Sequence, residues 1–166
     1  EYRGYDSSGV AVVSSGELFI EKKSGKLTEL KDALEGKTAS GSVGIGHTRW
    51  ATHGVPNDQN AHPHQNVDNK FALVHNGIIE NYVQMKESLV SDGVEFTSDT
   101  DTEVVVQQLA KEWDGDLLST TLGVAKNLKG TYALVIVSEY EPDTIVAGRM
   151  MSPLVTVSYT HLPLPT

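Results

Sequence analysis

The segment 47–54, with the sequence HTRWATHG, concentrates side chains that can do chemistry. It holds an arginine, a tryptophan, two histidines and two threonines, and little that requires burial. Val43 and Ile45 precede it as in a buried strand, and Pro56 follows it. An arginine can bind a carboxylate through two parallel hydrogen bonds, so Arg49 is a candidate carboxylate clamp. The groups that would act with this clamp must come from elsewhere in the chain.

Two further candidates lie downstream of this segment. Asn76 and Gly77 follow the apolar run 71–75, and most Asn-Gly pairs are turns. A side-chain amide beside a backbone N–H can also form an oxyanion hole, because it offers two neutral donors to one developing charge. Asp101 follows a predicted helix start, so its carboxylate either caps that helix or binds an ammonium group. Together with Arg49, this set would suit a free amino acid that carries a reactive amide.

The histidines of the chain do not favour a metal site. Five of the six lie between positions 47 and 75, and two of these flank Pro63. A zinc site needs three or four converging ligands that are held by supporting hydrogen bonds. This segment has no cysteine, and its only acids are Asp58 and Asp68 in a polar loop. We therefore expect the histidines to cap turns or to bond to backbone groups, and we expect no metal or other cofactor.

Composition argues against several classes of function. The chain has 166 residues and a formal net charge of −9, whereas binding of nucleic acid or anionic membranes needs clustered Lys and Arg. Glycines 41, 44 and 46 lack the Gly-Lys-Ser/Thr ending of a phosphate loop, so close packing in a sheet explains them better. No apolar run approaches the roughly 20 residues of a membrane span. We expect one cytoplasmic domain.

The hydrophobic pattern predicts an α+β fold. Apolar runs predict the strands, which are expected at 9–13, 18–22, 42–47, 71–75, 131–137, 144–147 and 154–157. Helical spacing of apolar residues predicts helices at 27–34, 79–90 and 117–128, and a capping box formed by Thr100 and Glu103 begins another. The polar stretch 51–69 is expected to be a functional or disordered loop. Strands at both ends, joined mostly by hairpins, favour layered α+β over a parallel α/β sheet.

Five blocks of the chain together resemble a known family. They are YRGYDS at 2–7, GHTRWATHG at 46–54, NAHPH at 60–64, HNGIIEN at 75–81 and SDTDTE at 98–103. They are similar to the glutaminase domain, a class II glutamine amidotransferase, of the glucosamine-6-phosphate synthases, which are also called glutamine–fructose-6-phosphate aminotransferases (isomerizing). The resemblance implies the N-terminal-nucleophile hydrolase fold, a four-layer αββα sandwich of two antiparallel sheets. It covers 1–157, and we expect the tail 158–166 to be disordered or artefactual.

The resemblance also implies roles for the candidate residues. Arg49 would hold the α-carboxylate of glutamine, and Asp101 would hold its α-amino group. Asn76 and the backbone N–H of Gly77 would form the oxyanion hole.

The segment 49–56 is implied to close over glutamine and to exclude water from a reactive thioester. Within it, Trp50 would lie near the passage for ammonia, and Thr52 and His53 would contribute backbone or hydroxyl contacts. Arg3 would lie close to the nucleophile.

The family's nucleophile is a cysteine at the mature N-terminus, and its own α-amino group acts as the general base. The chain has no cysteine, so we expect it to be an incomplete domain without glutaminase activity. His47 and His62 are open to either a structural or a functional interpretation. The expected partners are glutamine and, in a homo-oligomeric parent enzyme, sugar-isomerase domains.

Two alternative hypotheses remain open from the sequence. The first is that the chain derives from another class II amidotransferase, such as an amidophosphoribosyltransferase or an asparagine synthase. A second alternative is a glutamine-binding module without catalytic function.

Overall fold

A computed structural model of the chain describes residues 6–14, 16–50 and 55–157. Its strands are β1 (Ser7–Ser14), β2 (Glu17–Ser24), β3 (Val43–Arg49), β4 (His64–Gln65), β5 (Phe71–Ile79), β6 (Gly130–Ser138) and β7 (Val146–Met150). Its helices are α1 (Leu27–Leu34), α2 (Tyr82–Ser91), α3 (Asp101–Lys111) and α4 (Leu117–Ala125). Within the described part of the chain, no helix has the length and apolar character needed to cross a membrane.

The first sheet has three antiparallel strands in the order β2-β1-β3. The predicted hairpin is confirmed, because β1 and β2 pair from Ser7 with Ser24 to Ser14 with Glu17. Residues alternate between two faces of a strand, so Ala11 and Val13 of β1 point into the core on one face. Gly41 lies against β1, where an added Cβ would be 1.9 Å from the carbonyl oxygen of Val13. This contact agrees with close sheet packing rather than with a phosphate loop.

The second sheet has four antiparallel strands in the order β4-β5-β6-β7. The predicted end of β5 at 75 is wrong, because the strand continues through Asn76 and Gly77 and pairs as far as Ile79 with Gly130. The stretch 154–157 forms no strand, although one was expected there. The stretch 51–69 was predicted to be a loop, and its described part contains the short strand β4 and the buried side chain of Asn60.

The layers follow from two separate apolar clusters. The cluster between the sheets contains side chains of β1, β2, β3, β5 and β6, including Ala11, Ile45 and Val74. The other cluster lies between the second sheet and helices α2, α3 and α4, and includes Leu73 and Leu109. Helix α1 packs on the outer face of the first sheet, against β1 and β2. The predicted α+β fold, a four-layer αββα sandwich of two antiparallel sheets, is therefore confirmed.

Candidate functional site

A cavity of about 430 Å³ opens where the ends of β3 and β5 meet the N-terminus of α3. Its wall includes five of the side chains or backbone positions that the sequence singled out: Arg49, Trp50, Asn76, Gly77 and Asp101. The other three predicted site residues, Arg3, Thr52 and His53, lie outside the described residues. The fold thus brings Arg49 and Asp101, which are 52 positions apart in the sequence, to the same cavity.

Arg49 supplies a positive charge to this cavity. It is the last residue of β3, where it pairs with Ser7 of β1, and only 7% of its surface is exposed. Burial lowers the pKa of its guanidinium, and the carboxylates of Asp6 and Asp101 oppose that shift. An arginine remains charged at any physiological pH, so one wall of the cavity carries a fixed cation.

Asp101 supplies a negative charge at the first position of α3. Its Oδ2 accepts a hydrogen bond of 2.8 Å from the backbone N–H of Ile79 on β5. Its Oδ1 lies 3.8 Å from Nδ1 of His75 and 3.4 Å from Oγ1 of Thr102. The carboxylate therefore ties α3 to the last residue of β5, and its Oδ1 has lone pairs left for a cationic group.

The N-terminus of α3, which places Asp101, is held by buried polar contacts. Thr100 caps the helix, because its Oγ1 accepts from the backbone N–H of Glu103 at 3.3 Å. The Glu103 carboxylate does not return to Thr100, as a capping box requires. It accepts instead from the backbone N–H groups of Thr97 at 2.9 Å and Ser98 at 2.6 Å. The predicted helix start is confirmed, and the predicted role of Glu103 is corrected: it fixes the loop before the helix.

Asn76 and Gly77 lie on an exposed part of β5 that borders the cavity. Gly77 has a φ of +132°, and an added Cβ would be 2.0 Å from the carbonyl oxygen of Thr131 on β6. Only glycine fits this position, since it has both the necessary backbone freedom and no side chain. The carboxamide oxygen Oδ1 of Asn76 is 2.7 Å from Nε2 of His47 on β3.

Four histidines form a mostly buried cluster that the sequence did not predict, and three of them, His47, His62 and His75, line the cavity. The rings of His47 and His62 have centroids 4.5 Å apart, and those of His62 and His64 are 4.8 Å apart. Oγ1 of Thr102 lies 3.0 Å from both Nε2 of His62 and Nδ1 of His75. Among the described residues, no group of three or more His, Cys, Asp or Glu side chains could hold a metal ion. The threonines of the SDTDTE block were the available signal in the sequence, because buried histidines need hydrogen-bond partners and Thr100 and Thr102 supply them here.

All four histidines have lowered pKa values, and burial is the largest cause for each. The charge of Arg49 lowers the pKa of His47, His62 and His64 further. The Asp101 carboxylate opposes the shift at His75. The cluster is therefore neutral around pH 7, and the charges that face the cavity remain those of Arg49 and Asp101.

Comparisons with known proteins agree on one family. A model of the family described as "Glutamine amidotransferase domain" matches residues 15–156. Proteins named glutamine–fructose-6-phosphate aminotransferase [isomerizing] from Aquifex aeolicus and Fusobacterium nucleatum are 52% and 53% identical over 155 residues, which is 93% of the chain. The chain spans 26% of the length of each of these relatives.

Solved structures give a second line of comparison. The glutamine phosphoribosylpyrophosphate amidotransferase of B. subtilis, in complex with ADP and GMP, has 30% sequence identity and a TM-score of 0.70. A structure described as the allosteric regulatory enzyme of purine biosynthesis has 30% identity and a TM-score of 0.71. Each match covers 83% of this chain and 30% of the solved one. Since the family model matches most of the sequence and these structures share its fold, the chain belongs to the glutamine amidotransferase domain family.

Proposed function

We propose that the chain binds free glutamine and is the glutaminase part of a glutamine–fructose-6-phosphate aminotransferase (isomerizing). The observation that carries this proposal is a single cavity bordered by a buried guanidinium, a carboxylate and an exposed Asn-Gly pair. Glutamine has a carboxylate, an ammonium and a side-chain amide, so each of its polar groups has a matching partner. The relatives with 52% and 53% identity support this enzyme rather than a different amidotransferase.

In this proposal the charged groups hold the amino-acid end of glutamine. Arg49 binds the α-carboxylate, because the guanidinium fork matches two carboxylate oxygens. Asp101 accepts hydrogen bonds from the α-ammonium through Oδ1, while Oδ2 keeps its bond to Ile79. Both residues are anchored on the backbone of strands or a helix, so they bind without large rearrangement.

The other residues act on the amide end. Asn76 and the N–H of Gly77 donate to the amide oxygen. Trp50 borders the cavity and is 60% exposed. The proposed exit for ammonia lies beside it. The roles of Thr52, His53 and Arg3 in closing the site rest on the family resemblance alone.

Hydrolysis needs a nucleophile that the 166 residues do not contain, because the sequence has no cysteine. In the reaction that the family resemblance implies, a cysteine thiolate attacks the amide carbon and negative charge develops on the amide oxygen. Ammonia leaves, and water then hydrolyses the thioester to glutamate. Asn76 and Gly77 would stabilise the oxyanion in both steps. We therefore propose that this chain alone binds glutamine without hydrolysing it.

In the full-length protein, the released ammonia would pass to sugar-isomerase domains that convert fructose 6-phosphate to glucosamine 6-phosphate. A homo-oligomeric parent enzyme, which the family resemblance implies, and a cytoplasmic location complete the proposal.

Binding can be tested on the chain by isothermal titration calorimetry with L-glutamine. We expect saturable binding of L-glutamine and at least about tenfold weaker binding of D-glutamine, because the mirror image cannot present all three groups to Arg49, Asp101 and Asn76 together. Equal affinity for the two enantiomers, or no heat of binding in a folded sample, would remove the glutamine site.

The identity of the acceptor requires the full-length protein. We expect glutamine-dependent formation of glucosamine 6-phosphate from fructose 6-phosphate. Formation of phosphoribosylamine from phosphoribosyl pyrophosphate would favour an amidophosphoribosyltransferase, which is the class of one of the solved structures. Glutamine-dependent amidation of aspartate would indicate an asparagine synthase. Glutamine binding by the full-length protein without release of glutamate would indicate a non-catalytic module.

A further inference from the structure

We propose that His47 is a positioning residue that sets the orientation of the Asn76 carboxamide. In this arrangement Oδ1 of Asn76 turns towards His47, and the NH₂ group turns towards the ligand. The inference rests on the proposed function, because the orientation matters only if the cavity receives a carbonyl oxygen.

The need for such a residue follows from the shape of the side chain. The oxygen and the NH₂ group of a carboxamide are nearly identical in size, so packing alone does not distinguish the two orientations. With NH₂ towards the cavity, Asn76 is a donor that attracts a developing oxyanion. With Oδ1 towards the cavity, the same side chain would repel it. A hydrogen-bond donor on the far side of the amide decides between the two.

His47 is placed to be that donor. Its Nε2 is 2.7 Å from Oδ1 of Asn76, which is a short hydrogen bond across the space between β3 and β5. Among the described residues this is the one hydrogen bond of the Asn76 side chain. His47 also lies two positions before Arg49 on β3, so both side chains leave the same face of the strand. One strand would therefore bind the carboxylate and orient the oxyanion donor.

The position of the proton on the His47 ring supports Nε2 of His47 as the donor to Oδ1 of Asn76. Nδ1 of His47 is buried and has no hydrogen-bond partner among the described residues. If Nδ1 carried the proton, a buried N–H would be left unpaired, which folded proteins avoid. With the proton on Nε2, the N–H donates to Oδ1, and a bare ring nitrogen remains at Nδ1. A doubly protonated ring would also donate from Nε2, so the orientation of Asn76 is the same in that state.

The orientation can be tested by double substitution and calorimetry. The proteins are the unsubstituted chain, His47→Ala, His47→Gln, Asn76→Ala and the His47→Ala/Asn76→Ala pair. We expect His47→Ala to weaken L-glutamine binding about fivefold, the effect of one neutral hydrogen bond. In the Asn76→Ala background, His47→Ala should have no further effect on glutamine binding, because the carboxamide that His47 orients is absent. His47→Gln should recover binding to within about twofold, because its amide NH₂ can donate from nearly the same place.

A second measurement does not depend on the ligand. Nitrogen NMR of the labelled chain reports which ring nitrogen of His47 carries the proton, and we expect Nε2. Thermal melting of each variant shows that it is folded.

The outcomes separate the two proposals. A chain that does not bind glutamine overturns the proposed function, and with it the functional part of this inference, whatever the ring measurement shows. If the chain binds glutamine but the His47 ring carries its proton on Nδ1 alone, the inference is overturned and the glutamine site remains. Additive effects of His47→Ala and Asn76→Ala, or a failure of His47→Gln to restore binding, would show that His47 acts only through general structure.

Discussion

In the proposed glutamine site, Arg49 is the residue on which we expect ligand capture to depend most, because it is both buried and cationic. A buried cation has already lost most of its hydration, so a carboxylate that reaches it regains strong charge-assisted hydrogen bonds. The planar guanidinium sets the geometry of those hydrogen bonds. An ammonium is a point charge and cannot form the same planar pair of bonds.

Arg49→Lys is therefore expected to weaken binding of L-glutamine by about tenfold or more, which corresponds to the loss of one charge-assisted hydrogen bond. Calorimetry on the chain measures this directly. Arg149→Lys is the matched control, since Arg149 is exposed on β7 and bonds only weakly to the carbonyl of Ser152 at 3.4 Å. Equal affinities for Arg49→Lys and the unsubstituted chain would exclude Arg49 from the site.

Asn76 is expected to affect turnover more strongly than binding of glutamine, for which an effect of about fivefold is expected. In the full-length protein, Asn76→Ala should lower kcat by about 10²–10³, because one oxyanion donor is lost where negative charge develops. Release of glutamate from glutamine measures this rate. Asn127→Ala, in an exposed position after α4, should leave the rate unchanged. A loss of less than about threefold for Asn76→Ala would mean that Asn76 does not stabilise the oxyanion.

At the scale of the elements, the pairing of β5 with β6 determines where Asn76 and Gly77 can lie. The strand passes through Gly77 opposite Tyr132 and then ends two residues later at Ile79. A positive φ at Gly77 lets the backbone expose its amide edge at the cavity while the strand remains paired. A side chain at this position would push β5 and β6 apart.

Gly77→Ala is accordingly expected to destabilise the chain by about 2 kcal/mol or more, through backbone strain and the contact with Thr131. Urea unfolding followed by circular dichroism measures the change. Gly148→Ala on β7 is the matched control, because an added Cβ there meets no atom within 4 Å. Equal unfolding free energies for the two variants would contradict the strained geometry at Gly77.

The sequence predicted elements best where the signal was local. The β1–β2 hairpin and the start of α3 at Thr100 follow from apolar alternation and from a capping side chain. The pair Asn76-Gly77 is typical of a turn, and only pairing with β6, more than 50 residues away, shows that it lies within a strand. Local periodicity contains no information about that pairing.

Only part of the candidate site could be predicted from the sequence, because some of its contacts join residues that are far apart along the chain. Arg49, Asn76 and Asp101 were found because their chemistry and the family resemblance pointed to them, and they line one cavity. The burial of His62 and His64 was missed, since both lie in a polar stretch. Their partners Thr102 and Thr100 are 40 and 36 residues away along the chain.

At the scale of the whole molecule, the four histidines link stability to pH. Each has a folded-state pKa below its ordinary value of 6.5, so the folded protein binds fewer protons than the unfolded chain. Their contribution to stability is complete above about pH 6.5 and is lost as the pH falls towards the folded values. Asp58, with a pKa of about 2, has no effect in this window because its contribution is lost only at lower pH.

We therefore expect the free energy of unfolding to fall as the pH is lowered below about 6.5, with a slope of up to about 1.4 kcal/mol per pH unit for each histidine. Urea unfolding at a series of pH values measures this slope. His64→Gln removes one buried titrating ring, which lies 3.0 Å from Oγ1 of Thr100, and should reduce the slope whatever it does to stability at pH 7. Lys23→Gln, a substitution at an exposed ion pair with Asp58, should leave the slope unchanged. If the free energy of unfolding does not change with pH in this range, the four rings accept protons in the folded protein as readily as in the unfolded chain. The burial of the cluster would then be wrong.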